Sequence, residues 1–234
     1  MKRNMIIAST STVFGGEYLE YLKPRLQTFL SGVKQLIFIP YARPGGISWD
    51  DYTARASVYF NTLGIEVKGI HEFEDRSQAI LQAEAIFTGG GNTFLLVHDL
   101  YRYRIMQVLR EAIFTGVPYL GSSAGSNITG LTMQTTNDMP VIYPPSFKTL
   151  GAVPFNINPH YLDPEPGSKH MGETRETRIG EFQVLNDIPV VGLREGSWLE
   201  VNDDDITLGG TLSARIFLKD RQPYELEAGS HLEL

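Results

Sequence analysis

The pattern Gly-x-Ser-x-Gly stands at residues 121–125, which read GSSAG. The apolar run Val117–Leu120 before it predicts a buried strand, and the apolar residues from Ala124 onward have helical spacing. A serine on a sharp strand-to-helix turn projects away from the backbone, where it can act as a nucleophile. Flanking glycines lack the Cβ atoms that would clash in such a turn. The pattern therefore predicts a nucleophile at Ser123, although a turn that only caps a helix has a similar composition.

A serine nucleophile needs a general base, and histidine is the side chain that most often fills this role. Among the five histidines, His160 stands out because it lies in the segment Asn158–Tyr161 (NPHY), where a proline stiffens the loop after an apolar stretch. We predict His160 as the base by elimination, since the other positions suggest surface, packing or terminal residues. Those histidines are His71, His98, His170 and His231.

A serine–histidine pair works best with a carboxylate that orients the imidazole and stabilises its cation. Glu195 follows the buried apolar segment Pro189–Leu193, so it is expected at the carboxyl end of a strand. Asp138 lies in the loop Thr135–Pro140, after the helix of the nucleophile. Either residue could instead cap a helix or stabilise a turn. Position favours Glu195, and Asp138 is the second candidate.

A second loop whose composition suits catalysis or ligand binding is Thr88–Thr93 (TGGGNT), which follows a predicted strand. Consecutive glycines let the backbone approach a ligand closely and expose N–H donors. The N–H groups of Gly91 and Ala124 could together bind an oxyanion, and we expect Gly90 and Asn92 to contact the substrate. A phosphate cradle and an ordinary glycine-rich turn are the alternatives. The segment lacks the lysine of a P-loop and the glycine spacing of a dinucleotide site.

The first half of the chain must hold these loops in place, and its pattern alternates between strand and helix. Such alternation is typical of a parallel, doubly wound sheet, in which ligands bind beyond the carboxyl ends of the strands. The predicted strands are Met5–Ser9, Val33–Pro40, Ile65–Ile70, Ala85–Thr88 and Val117–Leu120, and the predicted helices are Tyr18–Leu30, Asp50–Leu63 and Ser77–Ala83.

The second half of the chain is less regular. Gly172–Phe182 has a helical pattern, Pro189–Leu193 reads as a buried strand, and short strands separated by turns follow from Trp198 onward. We therefore predict an α/β fold with a doubly wound, mostly parallel sheet flanked by helices and a short antiparallel C-terminal extension. One domain over residues 1–234 is the simplest division, because such folds commonly exceed 200 residues.

Composition excludes several classes of function. The net charge is −7 and no block of lysine or arginine occurs, so nucleic acid and anionic membranes are poor partners. The absence of cysteine excludes disulfides, thiolate metal sites and a cysteine nucleophile. No metal-binding motif is present, and we expect neither a metal nor a cofactor. The apolar stretch near Met5 is too short for the core of a signal peptide, so we expect a soluble cytoplasmic protein.

Five segments occur in order along nearly the whole chain: Gly89–Thr93, Gly121–Asn127, Thr135–Pro140, Asn158–His160 and Gly172–Glu176. Together they closely resemble the peptidase E family of bacterial α-aspartyl dipeptidases, which are cytoplasmic serine peptidases. The resemblance implies a peptide substrate and hydrolysis of dipeptides with an N-terminal aspartate. It also implies a sheet related to that of class I glutamine amidotransferases, with serine in place of their cysteine.

The resemblance also implies roles for individual residues. The nucleophile of the family matches Ser123 and its histidine matches His160. The third member of the triad matches either Asp138 or Glu195. The arginine that binds the aspartate of the substrate matches Arg175.

Two other functions remain alternatives. A cyanophycinase-like hydrolase on the same scaffold would cleave an aspartyl–arginine isopeptide bond, and it would need a strongly acidic pocket for the arginine. A non-catalytic protein could use the two glycine loops to bind a small anion.

Overall fold

The strands form two sheets, and the computed structural model describes residues 2–164, 167 and 171–234. The strands are β1 (Asn4–Ala8), β2 (Gln35–Ile39), β3 (Glu66–Gly69), β4 (Ile86–Thr88), β5 (Tyr119–Ser122), β6 (Asn156–Pro159), β7 (Val190–Leu193), β8 (Trp198–Asn202), β9 (Asp205–Gly209), β10 (Ala214–Phe217) and β11 (Tyr224–Leu226).

The helices lie mostly in the first half of the chain, between the strands of the larger sheet. They are α1 (Lys23–Phe29), which a short 3-10 helix at Glu20–Leu22 precedes, α2 (Trp49–Asn61), α3 (Arg76–Leu81), α4 (Thr93–Arg102), α5 (Met106–Phe114), α6 (Ala124–Asn127) and α7 (Arg175–Leu185). Among the described helices, none is both long enough and apolar enough to span a membrane.

The larger sheet has the strand order β3-β2-β4-β5-β1-β8-β9. Its first five strands pair in parallel, and β8 and β9 add an antiparallel edge. Helices cover both faces: α1 and α2 pack with Phe38 and Phe87 on one face, and α4 and α5 pack with Ile37 and Tyr119 on the other. Burial on both faces explains why the segment around β2 is almost continuously apolar. The predicted doubly wound parallel sheet is confirmed.

The smaller sheet has the order β11-β10-β7-β6, in which β6 and β7 are parallel. Helix α7 packs against it, and the buried Gln183 donates a hydrogen bond of 3.0 Å to the carbonyl oxygen of Phe217. The C-terminal strands that the sequence predicts as one antiparallel extension are thus divided between two sheets. Strand β7 matches the predicted segment Pro189–Leu193, but it belongs to the smaller sheet.

The register of the strands brings the candidate loops together at the carboxyl ends of β1, β4 and β5. Strands β1 and β4 flank β5, and Ala8 pairs with Ser122 while Thr88 pairs with Gly121. All three strands are parallel, so the segments that follow them leave the sheet side by side. The first of these segments begins at Ser9.

Candidate active site

Ser123 lies on a sharp turn between β5 and α6, with φ of 53° and ψ of −110°. Residues with a side chain rarely adopt such a positive φ. Its N–H donates a hydrogen bond of 3.1 Å to the carbonyl oxygen of Ala8, which ties the turn to β1. A Cβ atom at Gly121 would lie 2.6 Å from the carbonyl oxygen of Gly125, so the turn is too tight for a side chain there. The first glycine of the pattern has this cause, whereas at Gly125 a Cβ atom would lie 2.2 Å from the carbonyl oxygen of Thr88 in β4.

A continuous chain of hydrogen bonds links three side chains. The Oγ atom of Ser123 lies 2.8 Å from Nε2 of His160, and Nδ1 of His160 lies 2.6 Å from Oε1 of Glu195. The side chains of His160 and Glu195 are 36% and 44% exposed, so a small substrate can reach them. The arrangement suits proton transfer from a hydroxyl to an imidazole that a carboxylate orients.

Parallel pairing of β6 and β7 brings His160 next to Glu195. Pro159 pairs with Leu193 at the ends of the two strands, so the residues that follow emerge together. The buried Ser9 links the ends of these two strands. Its Oγ accepts a hydrogen bond of 2.9 Å from the N–H of His160 and donates one of 2.7 Å to the carbonyl oxygen of Leu193. Sequence reasoning missed Ser9, and its place directly after the first strand was the available signal.

Asp138 belongs to the loop Thr135–Pro140, and its carboxylate connects this loop to the first residue of α4. Its Oδ2 accepts hydrogen bonds from the N–H of Thr93 at 2.7 Å, from the hydroxyl of Thr93 at 2.6 Å and from the hydroxyl of Thr136 at 3.0 Å. Within the described residues, the carboxylate that bonds to His160 is that of Glu195. Asp138 instead provides a partner for a free N–H at the helix start.

The glycine loop contacts Ser123 directly. A Cβ atom at Gly90 would lie 2.9 Å from Cβ of Ser123, and the buried hydroxyl of Tyr52 holds the loop by donating to the carbonyl oxygen of Gly90 at 3.0 Å. Within the described part of the chain, the N–H groups of Gly90, Gly91 and Ala124 have no hydrogen-bond acceptor. Three free donors thus lie in the two segments that meet at Ser123.

Comparison with known proteins identifies the family. A model of peptidase family S51 matches residues 5–209, which is most of the chain. The chain belongs to peptidase family S51. Peptidase E of Streptomyces coelicolor is 48% identical to this S51 chain over 229 residues, which are 98% of the chain and 93% of that relative.

A second relative and a solved structure are also similar to this chain. A Drosophila melanogaster protein named probable alpha-aspartyl dipeptidase is 45% identical over 227 residues, which are 96% of this chain and 93% of its own length. The crystal structure of a peptidase from an acI-B1 actinobacterium superposes with a TM-score of 0.75 at 18% identity, covering 100% of this chain and 98% of the other. That structural likeness concerns the fold alone.

Asn92 shapes the glycine loop of this S51 chain from within. Its Oδ1 accepts a hydrogen bond of 3.1 Å from the N–H of Leu95 and so caps α4, and its Nδ2 donates one of 2.8 Å to the carbonyl oxygen of Met139. Both polar atoms of the side chain already have partners inside the protein. The substrate contact expected of Asn92 stays a prediction.

Arg175 is the first residue of α7 and is half-buried. Burial and the nearby charge of Arg178 lower the pKa of the Arg175 guanidinium, while the carboxylate of Asp138 opposes that shift. Among the described residues, Arg175 forms no ion pair within 4.0 Å. Within the described residues, Arg175 is thus a cation without an ion pair near the carboxylate of Asp138.

The other described histidines of the S51 chain are paired with aspartates away from Ser123. His170 lies outside the described residues. The described part of the chain contains no cluster of three or more histidine and acidic residues that could hold a metal. The aspartate pairs are His71 with Asp50 at 2.8 Å, His98 with Asp99 at 2.9 Å and His231 with Asp205 at 2.6 Å.

Proposed function

We propose that the protein is a serine dipeptidase that hydrolyses dipeptides with an N-terminal aspartate through Ser123, His160 and Glu195. The hydrogen-bonded chain from the hydroxyl of Ser123 through the imidazole to the carboxylate is the observation that carries this proposal. Membership of peptidase family S51 makes the protein a peptide-bond hydrolase. The name of the Drosophila relative supports the α-aspartyl dipeptide as substrate.

The proposed reaction starts with attack by Oγ of Ser123 on the carbonyl carbon of the aspartyl residue. His160 takes the hydroxyl proton at Nε2, and Glu195 stabilises the resulting imidazolium through Nδ1. When the tetrahedral intermediate collapses, the C–N bond breaks and His160 gives the proton to the leaving amine. A water molecule, activated by the same imidazole, then hydrolyses the aspartyl ester and releases aspartate.

The negative oxygen of each tetrahedral intermediate needs hydrogen-bond donors. We propose the N–H groups of Gly91 and Ala124 for this role, because both lack acceptors within the described residues and belong to the segments that meet at Ser123. The N–H of Ser123 itself is bonded to Ala8 and is unsuited. Donors fixed before the reaction stabilise the developing charge without having to reorganise.

Arg175 is the proposed partner of the β-carboxylate of the substrate. Its planar guanidinium can form two parallel hydrogen bonds to a carboxylate, and no carboxylate of the described residues pairs with it within 4.0 Å. Asp138 lies near this arginine and has its Oδ2 bonded to Thr93 and Thr136.

The test is hydrolysis of a panel of dipeptides by Ser123→Ala and by the matched control Ser122→Ala. Ser122 is buried next to the nucleophile, and its hydroxyl has no partner within the described residues, so its loss leaves no other group unpaired. Ser123→Ala should lower kcat for Asp-Leu by roughly 10⁴- to 10⁶-fold, since loss of a nucleophile disables the whole triad. Ser122→Ala should keep most of the activity.

Two results would contradict the proposal. Full activity of purified Ser123→Ala would refute the mechanism. Equal hydrolysis of Leu-Leu and Asp-Leu by the wild type would refute the proposed specificity.

A further inference from the structure

A second arginine lies close to the glycine loop, with its guanidinium over a tyrosine of α2. Arg43 belongs to the loop that follows β2, and its neighbour Ala42 accepts a hydrogen bond of 2.6 Å from the N–H of Asn92 through its carbonyl oxygen. A Cβ atom at Gly91 would lie 2.2 Å from that same oxygen. The backbone leading into Arg43 therefore packs directly against the proposed oxyanion donors.

The side chain of Arg43 is held by an aromatic ring. Its guanidinium carbon lies 4.9 Å from the ring centroid of Tyr52, the residue whose hydroxyl bonds to Gly90. Tyr52 is buried, and Gly90 contacts Ser123, so the ring connects the arginine to the nucleophile through two direct contacts. Stacking of this kind fixes a guanidinium without using its N–H donors.

Within the described residues, the hydroxyl of Tyr52 is the one protein partner of the Arg43 donors. Among the residues that the structure describes, no carboxylate forms an ion pair with the guanidinium within 4.0 Å, and its buried Nε has no acceptor. Nearby, Arg55 lies over the ring of Tyr18 at 5.3 Å, which adds a second positive charge to the same region. Leaving a buried cationic donor unpaired costs free energy, so a binding anion gains by supplying its acceptors.

An aspartyl dipeptide carries two carboxylates, and Arg175 can pair with only one of them. The second, at the C-terminus, lies about one residue beyond the scissile bond, where successive Cα atoms are about 3.8 Å apart. Arg175 lies near Asp138 and α4, whereas Tyr52 belongs to α2 on the opposite face of the sheet. Arg43 thus contacts α2, whereas Arg175 lies near the loop that contacts α4.

We propose that Arg43 binds the C-terminal carboxylate of the dipeptide and so restricts the enzyme to substrates that end one residue after the scissile bond. This inference rests on the proposed dipeptidase function. A longer peptide would place an uncharged amide against the guanidinium and would continue into the loop. Arg43 is thus a specificity-determining residue for the leaving group.

The experiment compares kcat/KM for Asp-Leu and for Asp-Leu amide, which differ only in the charge of the C-terminal group. The wild type should prefer Asp-Leu by roughly 10- to 100-fold, the range for a charge-assisted hydrogen bond. In Arg43→Met, the ratio of kcat/KM for Asp-Leu to kcat/KM for Asp-Leu amide should fall to within about threefold of one. Only kcat/KM for Asp-Leu should decrease. Arg43→Lys should keep part of the preference, because the charge stays and the planar fork is lost.

Arg102→Met is the matched control, since Arg102 also stacks on a tyrosine, Tyr103, but stands at the far end of α4. It should keep the wild-type preference. Equal rates of the wild type on both substrates, or an unchanged preference in Arg43→Met, would overturn the inference while leaving the dipeptidase function intact. The wild-type comparison decides even if Arg43→Met does not fold. Hydrolysis of neither substrate by the wild type would instead refute the proposed function.

Discussion

The two carboxylates that the sequence leaves as candidates differ in what they contact. Glu195 accepts the imidazole N–H of His160 at 2.6 Å, whereas Asp138 bonds to the first residue of α4 and to Thr136. The choice follows from the pairing of β6 with β7, which no local pattern reveals. Both residues lie in loops after predicted elements, and their types are equally suited to the role.

Glu195→Gln should lower kcat for Asp-Leu by roughly 10²- to 10⁴-fold, because the amide neither fixes the required tautomer of His160 nor stabilises its cation. Asp138→Asn should change kcat much less and should lower the free energy of unfolding by about 1–2 kcal/mol, through weaker bonds to Thr93. Steady-state kinetics and urea unfolding measure the two effects. A larger loss of kcat in Asp138→Asn would reverse the assignment.

At the scale of elements, one arginine connects the segments that carry His160 and Glu195. Arg194 follows β7 and bonds to the carboxylate of Asp163 at 2.8 and 2.7 Å and to that of Glu225 at 2.8 and 3.1 Å. These bonds lower the pKa of both carboxyl groups, that of Glu225 to about 2. The loop after His160 and strand β11 are thus held to the segment just before Glu195.

This cluster should make the free energy of unfolding depend on pH in the acidic range. The pKa of Glu225 is lowered from 4.5 to about 2, so its stabilising contribution is complete above about pH 4.5 and is lost as the pH falls through about 2. The free energy of unfolding of the wild type should therefore drop between pH 5 and pH 3, and that of Glu225→Gln should drop less. Urea unfolding of both proteins at the two pH values measures the difference. Parallel behaviour would show that Glu225 contributes nothing in this range.

Local sequence patterns predict most elements of the larger sheet, because strand periodicity and turn residues act over a few positions. The turn at Ser123 and the glycine loop are predictable from their composition, although the close contacts that require glycine at Gly90 and Gly91 involve the distant residues Ser123 and Ala42. The division of the C-terminal strands between two sheets is not predictable in this way. It depends on contacts between distant residues, such as Ser9 with His160, which are 151 positions apart.

At the scale of the whole molecule, charge bears on how an acidic substrate is bound. The net charge of −7 gives an anionic dipeptide no general attraction, so binding must come from local cations. Arg175 and Arg43 are two such cations near the site, each without an ion-pair partner within the described residues. In their proposed roles, these two arginines would account for the binding of an acidic ligand by an acidic protein.

Arg175→Met should lower kcat/KM for Asp-Leu by roughly 10²- to 10⁴-fold, because the β-carboxylate would lose its only proposed partner. Acylation of Ser123 by a small uncharged reagent should proceed at the wild-type rate, since the nucleophile and its base are untouched. Kinetics on Asp-Leu beside the rate of labelling separate binding from chemistry. Unchanged hydrolysis of Asp-Leu would leave the aspartate specificity to other residues.

The backbone conformation of Ser123 is unfavourable for folding, although its side chain is needed for the proposed catalysis. A residue with a side chain at such a positive φ costs about 1–3 kcal/mol, an appreciable part of the 5–15 kcal/mol that typically separates folded from unfolded chains. Glycine would relieve that strain and would remove the proposed nucleophile. Stability thus favours glycine at position 123, whereas the proposed catalysis requires serine. The chain has serine at this position, so activity is kept at a cost in stability.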